Sequence, residues 1–240
     1  GEIMKTDVFV KVVSDTGSEM EMDRDVEEAF RMFRGFGTRF SRFDPGSELS
    51  SFNAGPGGRV SSELFTLLSR ASWWFRETDG VFDPSILPIL ESEGYSGSFG
   101  EARFGVPSGR ADTGAVYRFD SLSFDEPTSS VRKPTDLRID LGGIGKGYVV
   151  DQVAGLLGAL YTDFIVDAGG DMRVAGRDRL AGYPYFAIDI EDAVQKSGSA
   201  GTLLLSDRAV ATSGVNRRKW LVDGVETSHL IDTRSGGSVE

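Results

Sequence analysis

The 240-residue sequence contains no cysteine and only one histidine, His229. The absence of cysteine excludes disulfides, thiolate metal sites and cysteine nucleophiles. A single histidine also excludes metal sites built on paired histidines, such as the His-Glu-x-x-His pattern. Any chemistry that depends on histidine must therefore use His229.

Positive charge is scarce as well. Lysine and arginine number 26 against 37 aspartates and glutamates, so the formal net charge is −11. Because binding to a phosphate backbone needs clustered positive charge, nucleic acid is a disfavoured partner. No run approaches the roughly 18 apolar residues of a membrane span, and no transmembrane segment is expected. The sequence opens on glycine, so we expect a cell-envelope or periplasmic protein if an export signal precedes it and a cytoplasmic one otherwise.

Hydrophobic periodicity predicts long helices followed by many short strands. The predicted helices span 23–40, 62–77 and 146–160, and Trp73 and Trp74 in the second are expected to be core or interface aromatics. The predicted strands are 3–13, 116–119, 164–166, 172–174, 186–190, 202–205, 209–212, 219–222 and 225–230. This mixture favours an α+β fold, a single compact domain of mixed or antiparallel sheets with packed helices.

The segment 139–148 has the strongest chemical signal, because a short apolar strand runs into glycines and then into a helix with Lys146 near its start. Glycines let the backbone approach a ligand closely, and a helix N-terminus offers N–H groups to phosphate. The segment is neither a Walker A loop, since Gly147 follows the Gly-Lys pair, nor G-x-G-x-x-G, since Tyr148 stands at the third glycine position. Spacing alone leaves a phosphate site and a plain strand-to-helix turn equally open.

The segment 229–236 is the second signal. Asp232 and Ser235 lie three residues apart in a predicted turn, a spacing that offers two hard oxygens to Mg²⁺. His229 and Ile231 are predicted to share one face of a strand that ends at Asp232. A histidine beside a metal-held phosphate acts as a base toward an incoming hydroxyl. A lone histidine next to such a turn is more often structural, so both interpretations stay open.

Four other segments are weak signals by themselves. Residues 78–84 and 44–53 have the composition of turns and helix caps. Residues 167–171 are predicted to form a glycine turn between two strands, and residues 211–214 close a strand with small hydroxyl side chains.

Taken in order, these segments resemble the ApbE family of FAD:protein FMN transferases over nearly the whole chain. Met4-Lys5-Thr6 is similar to the Met-Gly-Thr that precedes the first strand in the family. Residues 140–151 are similar to D-L-[GS]-[GA]-[IL]-A-K-G-Y-x-x-D, and residues 229–236 to H-x-[IL]-[IL]-D-P-x-T-G. The other matching segments are 44–53, 78–84, 167–171 and 211–214 followed by Arg217-Arg218.

The resemblance implies a Mg²⁺-dependent transfer by a flavin transferase domain that spans residues 1–240. FAD is split, FMN passes to a threonine hydroxyl of a target flavoprotein, and AMP leaves. By this resemblance Asp232, Ser235 and the carbonyl of Gly143 hold Mg²⁺. His229 lies by the reacting phosphate, as a base or as a positioning group.

The resemblance also implies which residues bind FAD. Lys146 is expected to meet the phosphates or the ribose, and Asp140 to hydrogen-bond the cofactor. The flavin or adenine side is expected to be lined by Met4, Val81, Phe82 and Asp83.

The sequence departs from the family pattern at several positions. Gly145 replaces the usual alanine, Thr233 the usual proline, Ser235 the usual threonine and Asn216 a frequent tyrosine. The hydroxyl of Thr233 stays a candidate metal ligand. Family members also continue with a further strand and helix beyond the position of Glu240. Two other functions remain open: a FAD pyrophosphatase, in which water attacks and FMN and AMP are released, and a FAD-binding protein without catalysis.

Overall fold

The computed structural model describes residues 1–15, 18–97, 119–192, 198–215, 219–222 and 224–239. Asn216, Arg217, Arg218 and residues 116–118 of the predicted strand 116–119 lie outside these residues, and Phe119 begins a 3₁₀ turn. Contacts group the chain into two compact units, each made of two stretches of sequence. The first unit is Gly1–Gly37 with Lys146–Ser213, and the second is Thr38–Gly145 with Gly214–Glu240.

Five α-helices and a set of short strands make up the described fold. The helices are α1 (Glu19–Phe40), α2 (Glu48–Asn53), α3 (Ser62–Glu77), α4 (Leu87–Ser92) and α5 (Gly142–Gly158), with 3₁₀ turns at Pro84–Ile86 and Phe119–Ser121. The strands are β1 (Glu2–Ile3), β2 (Thr6–Val13), β3 (Gly57–Arg59), β4 (Ser123–Asp125), β5 (Ser130–Arg132), β6 (Asp163–Ala168), β7 (Asp171–Ala175), β8 (Phe186–Glu191), β9 (Ser199–Leu205), β10 (Arg208–Val210), β11 (Lys219–Val222), β12 (Val225–Ser228), β13 (Ile231–Asp232) and β14 (Gly237–Ser238). Among the described helices none is long and apolar enough to cross a membrane.

The first unit contains a five-stranded antiparallel sheet in the order β1-β2-β6-β7-β10, together with the β8–β9 hairpin. The predicted strand 3–13 is interrupted, because Met4 and Lys5 have φ angles of 58° and 56° and form a two-residue turn between β1 and β2. Turns of this hand match the twist of the strands that they join. The Met4 side chain lies against α1, where a Cβ on Gly37 would be 2.9 Å from Met4 Cγ.

The second unit contains α2, α3, α4, a three-stranded sheet in the order β3-β5-β4, and the hairpins β11–β12 and β13–β14. Helix α3 has the bounds that periodicity predicts. The hydroxyl of Ser61 accepts the N–H of Leu64 at 3.1 Å and fixes its start, while Leu64, Leu67 and Leu68 are fully buried on one face.

Trp73 and Trp74 lie beyond this buried face in the last turns of α3. Their exposed fractions are 48% and 47%, and their rings pack edge-on with the ring centres 4.6 Å apart. Of the predicted core or interface position, the core part is therefore wrong, and the interface part stays a prediction. Helical spacing places Trp74 on the buried face, but among the described residues no neighbouring element covers that end of the helix enough to bury it.

Helices α1 and α5 each begin four residues before the predicted start. The N–H of Ser18 donates to the Glu21 carboxylate at 2.9 Å, and Glu21 N–H donates back to the Ser18 hydroxyl at 3.3 Å, which is a capping box. At α5 the Asp140 carboxylate accepts the N–H of Gly142 at 2.7 Å. This cap starts the helix within the glycines, whose low helix propensity had predicted a turn.

Lys133 joins separate parts of the second unit from a buried position. Its ammonium donates to the carbonyls of Gly55 at 2.6 Å, Leu137 at 2.7 Å and Asn53 at 3.4 Å. Burial lowers the pKa of Lys133, because desolvation disfavours its charged form. The side chain fixes the end of α2 to the segment that leads into Ile139.

We expect Lys133→Met to lower the free energy of unfolding by about 2–4 kcal/mol, since the apolar side chain leaves buried carbonyls without a donor. Urea unfolding followed by circular dichroism measures the change. Lys219→Met is the matched control, because Lys219 pairs with the exposed carboxylate of Glu226. Equal stabilities of the two variants would contradict the role given to Lys133.

Candidate functional site

The turn formed by residues 139–143 is held by segments that lie far away in the sequence. The amide of Asn53 donates to the carbonyl of Ile139 and accepts its N–H, both at 2.9 Å. The N–H of Asp140 donates to the carbonyl of Pro84 at 2.8 Å. These bonds bring the predicted segments 44–53 and 78–84 together with residues 139–145 in the second unit.

The carboxylate of Asp140 has a protein partner on each oxygen. Oδ1 accepts the N–H of Gly142, and Oδ2 lies 2.7 Å from Nε of Arg42. The Arg42 side chain is 5% exposed and that of Asp140 17% exposed. A carboxylate has about four lone-pair sites, so Asp140 keeps acceptor capacity for a ligand in a fixed orientation.

Phe82 and Gly143 are in contact. A Cβ on Gly143 would lie 3.2 Å from the ring of Phe82, so a side chain there would require the ring to move by a few tenths of an ångström. Gly143 lies in the first turn of α5, and Val81 is 56% exposed. The structure thus places Phe82, predicted to line FAD, in contact with Gly143, predicted to bind Mg²⁺. The apolar side chain of Val81, next to Phe82 in the sequence, is exposed.

Asp83 is a buried carboxyl with one occupied oxygen. Its Oδ1 accepts the N–H of Ser85 at 2.7 Å and the Ser85 hydroxyl at 2.6 Å, while Oδ2 is buried and has no hydrogen-bond partner among the described residues. Burial raises the pKa of Asp83, and the charge of Asp120 adds to the increase. The sequence predicted that Asp83 caps a turn, and it caps the 3₁₀ turn at Pro84–Ile86. The burial of its carboxyl group did not follow from the sequence.

Asp232 and Ser235 lie in the tight turn between β13 and β14, as predicted. The N–H of Gly236 donates to the carbonyl of Asp232 at 2.9 Å, and Gly236 has a φ of 72° that favours glycine. Asp232 Oδ1 accepts the N–H of Arg234 at 2.9 Å. This bond, followed by hydrogen bonds from Ser235, lowers the pKa of Asp232. The carboxylate is therefore ionised at neutral pH.

His229 lies in a bend rather than in a strand, so the predicted strand 225–230 is wrong at its end. Strand β12 stops at Ser228, whose N–H donates to the Ser238 hydroxyl at 2.7 Å and whose own hydroxyl accepts the N–H of Leu230 at 3.3 Å. These side-chain bonds replace the strand ladder. His229 is half-buried, with its Nδ1 atom inside the protein.

An apolar cluster connects the hairpins of the second unit to Arg42. The indole of Trp220 donates to the carbonyl of Glu93 at 2.6 Å, and Trp220 packs with Tyr95 and Ile231. The carbonyl of Tyr95 accepts a guanidinium N–H of Arg42 at 2.6 Å. Contacts therefore run without a gap from the hairpin of the predicted metal ligands to the 139–143 turn.

Lys146 belongs to the first unit, where its ammonium lies 2.8 Å from Oδ2 of Asp171. The neighbouring Asp167 accepts the N–H of Gly170 at 2.8 Å. Burial raises the pKa of Asp167; the Gly170 bond and the charge of Lys146 oppose the increase, while Asp171 and Asp7 add to it. The predicted phosphate-binding lysine is thus surrounded by acidic groups.

The turn at Gly169 and Gly170 confirms the predicted glycine turn. Both residues have positive φ, a Cβ on Gly169 would overlap the Thr6 hydroxyl, and a Cβ on Gly170 would lie 3.3 Å from Thr212. The segments 4–6, 167–171 and 211–213 therefore meet in the first unit. Met4, predicted to line the flavin, lies in the turn that precedes Thr6.

The sequence model of the ApbE family matches residues 4–240. The chain belongs to the ApbE family. A relative named FAD:protein FMN transferase, from Chlamydia pneumoniae, is 28% identical over 247 residues, which cover 97% of this chain and 73% of that protein.

Solved ApbE structures share the fold. The ApbE protein of Thermotoga maritima gives a TM-score of 0.87 at 27% identity, and the flavin transferase ApbE of Vibrio cholerae gives 0.80 at 27% identity. Each alignment covers 100% of this chain and 77% of the other. The predicted α+β fold, a domain of antiparallel sheets with packed helices, is confirmed.

In this member of the ApbE family, no local sequence pattern identified Arg42, Lys133 or the role of Asn53. Each of these residues acts through a contact with a distant segment. Locally, each is marked by nothing more than a position in or beside a loop. In the described ranges no three histidine, aspartate or glutamate side chains cluster as a metal site. The predicted ligand set has one carboxylate, Asp232, so this finding does not bear on it and the set stays a prediction.

We expect Asp83→Asn to change how stability depends on pH. Because the pKa of Asp83 is raised in the folded state, the folded protein binds more protons than the unfolded one between about pH 4, the ordinary value, and that raised pKa. The stability of the wild type should therefore fall relative to the variant as pH rises through this interval. Urea unfolding of both proteins from pH 4 to 7 without FAD tests this, and parallel curves would contradict it.

Proposed function

We propose that this chain is a Mg²⁺-dependent FAD:protein FMN transferase whose acceptor is a threonine hydroxyl of a target flavoprotein. The observation that carries the proposal is the run of contacts, within the second unit, from the Asp232 hairpin through Ile231, Tyr95 and Arg42 to Asp140. The name of the Chlamydia pneumoniae relative supports the same reaction.

The donor atoms of the proposed metal site suit Mg²⁺. The Asp232 carboxylate, the Ser235 hydroxyl and the Gly143 carbonyl would hold it, and all are hard oxygen donors. The lowered pKa of Asp232 keeps its carboxylate charged at neutral pH. When bound, Mg²⁺ neutralises charge on the oxygens of a pyrophosphate.

The properties of Asp83 support its proposed role in binding a ring of FAD. Its buried Oδ2 has no hydrogen-bond partner among the described residues, so it can accept a hydrogen bond from FAD. Flavin and adenine rings offer N–H donors to such an acceptor. Phe82, Val81 and Met4 would supply apolar surface to the rings.

Charged side chains would bind the remainder of FAD. Lys146 would meet the phosphates or ribose, since an ammonium binds phosphate as a point charge. Its present partner, Asp171, holds the ammonium at 2.8 Å. Asp140 would accept a hydrogen bond from the cofactor.

In the proposed reaction the threonine oxygen attacks the phosphorus on the FMN side of the pyrophosphate. The bond from that phosphorus to the bridging oxygen breaks, AMP leaves, and a phosphoester joins FMN to threonine. The imidazole of His229 accepts the proton of the threonine hydroxyl, which makes the oxygen a better nucleophile. In-line attack of this kind depends mostly on positioning and charge neutralisation.

Transfer is tested with FAD, Mg²⁺ and a flavoprotein fragment that carries the acceptor threonine. We expect flavin fluorescence to remain on the fragment in a denaturing gel, with one AMP released per modified fragment and no labelling after EDTA treatment. A fragment with alanine in place of the threonine is the control. Free FMN and AMP without labelling would show a pyrophosphatase, and FAD binding without AMP would show a binding protein; either overturns the transferase.

We expect His229→Ala and Asp232→Ala each to slow AMP release by about 100-fold or more, since they remove the proposed base and a metal ligand. Glu226→Gln on strand β12 is the matched control, because its carboxylate is 63% exposed and pairs with Lys219 at the surface. Rates are measured by chromatography of AMP at saturating FAD. Wild-type rates in both alanine variants would show that the site lies elsewhere.

A further inference from the structure

Arg42 is a buried cation enclosed on several sides. Its guanidinium lies 4.1 Å from the ring centre of Phe43 and 4.7 Å from that of Tyr95. One N–H donates to the Tyr95 carbonyl at 2.6 Å, and Nε lies 2.7 Å from Asp140 Oδ2. Packing against two rings while donating to a carbonyl and pairing with a carboxylate suits the planar guanidinium of arginine and would not be reproduced by lysine.

The guanidinium has contacts that do not involve Asp140. The rings of Phe43 and Tyr95 pack against it, and the Tyr95 carbonyl accepts one of its N–H groups. The Asp140 carboxylate therefore pairs with a cation that other contacts also hold in place. A carboxylate held between Arg42 and the N–H of Gly142 has one orientation, with its remaining lone pairs free for a ligand.

The charge of Arg42 matters as much as its position. Asp140 is proposed to hydrogen-bond FAD, whose pyrophosphate is an anion. An uncompensated carboxylate in the site would repel that anion, and the repulsion is strong where little water screens it. Arg42 offsets the charge of Asp140 from the protein side.

We propose that Arg42 is a positioning residue that orients and neutralises Asp140 for FAD binding. This inference rests on the proposed function and adds a residue to it. Arg42 itself need not touch FAD, because it acts through the carboxylate. Partners that orient a ligand-binding group typically change affinity or activity by about 10- to 100-fold when they are removed.

A double-mutant cycle tests the proposal, with FAD dissociation constants from flavin fluorescence as the readout. We expect Arg42→Gln to weaken FAD binding about 10-fold. Arg42→Lys should weaken it about 3-fold, because the lysine ammonium keeps the charge but lacks the planar guanidinium. In an Asp140→Asn background, Arg42→Gln should change affinity by less than about 2-fold, since the group through which it acts is gone. Arg39→Gln, on the exposed Glu48 and Glu63 network, is the control.

The possible outcomes separate the inference from the function on which it rests. Equal losses from Arg42→Gln in both backgrounds would show a merely structural role, as would a lower melting temperature with wild-type affinity. If Arg42→Gln does not fold, Arg42→Lys decides, and wild-type affinity in that variant overturns the proposal. If wild-type protein neither binds FAD nor releases AMP, the proposed function fails and the role of Arg42 with it.

Discussion

The 139–143 turn depends on hydrogen bonds that the turn cannot supply from its own residues. Asn53 pairs with both backbone groups of Ile139, the Pro84 carbonyl accepts from Asp140, and Arg42 pairs with the Asp140 carboxylate. Buried backbone groups without partners are costly, so these contacts fix where helix α5 begins. The position of Gly143, and with it the proposed metal-side carbonyl, is a consequence.

The acidic composition sets a second constraint, because a chain with a net charge of −11 is proposed to bind an anionic substrate. Aspartates in the two units differ in their surroundings. In the second unit hydrogen bonds lower the pKa of Asp232 and burial raises that of Asp83, while in the first unit Asp171 pairs with Lys146. A single residue type therefore differs in charge stabilisation and in pairing according to its surroundings.

Helices and strands with strong local signals were predictable. Helix α3 has the expected bounds because the cap at Ser61 and the leucine spacing lie within one segment. The turn between β1 and β2 was not predicted, because Met4 and Lys5 are not residues that favour positive φ. The end of β12 was missed for a similar reason, since Ser228 leaves the ladder to bond with Ser238 of another strand.

The sequence by itself determined the features whose contacts span a few residues: the α3 register, the glycine turn at Gly169, and the pairing of Asp232 with Ser235 in one turn. Only the tertiary structure decided which carboxyl is buried, which arginine faces Asp140, and where His229 leaves its strand. The reason is the range of the interactions. Caps and turns form between residues three or four apart, whereas the bond from Asn53 to Ile139 joins positions 86 residues apart, and no local pattern specifies such a partner.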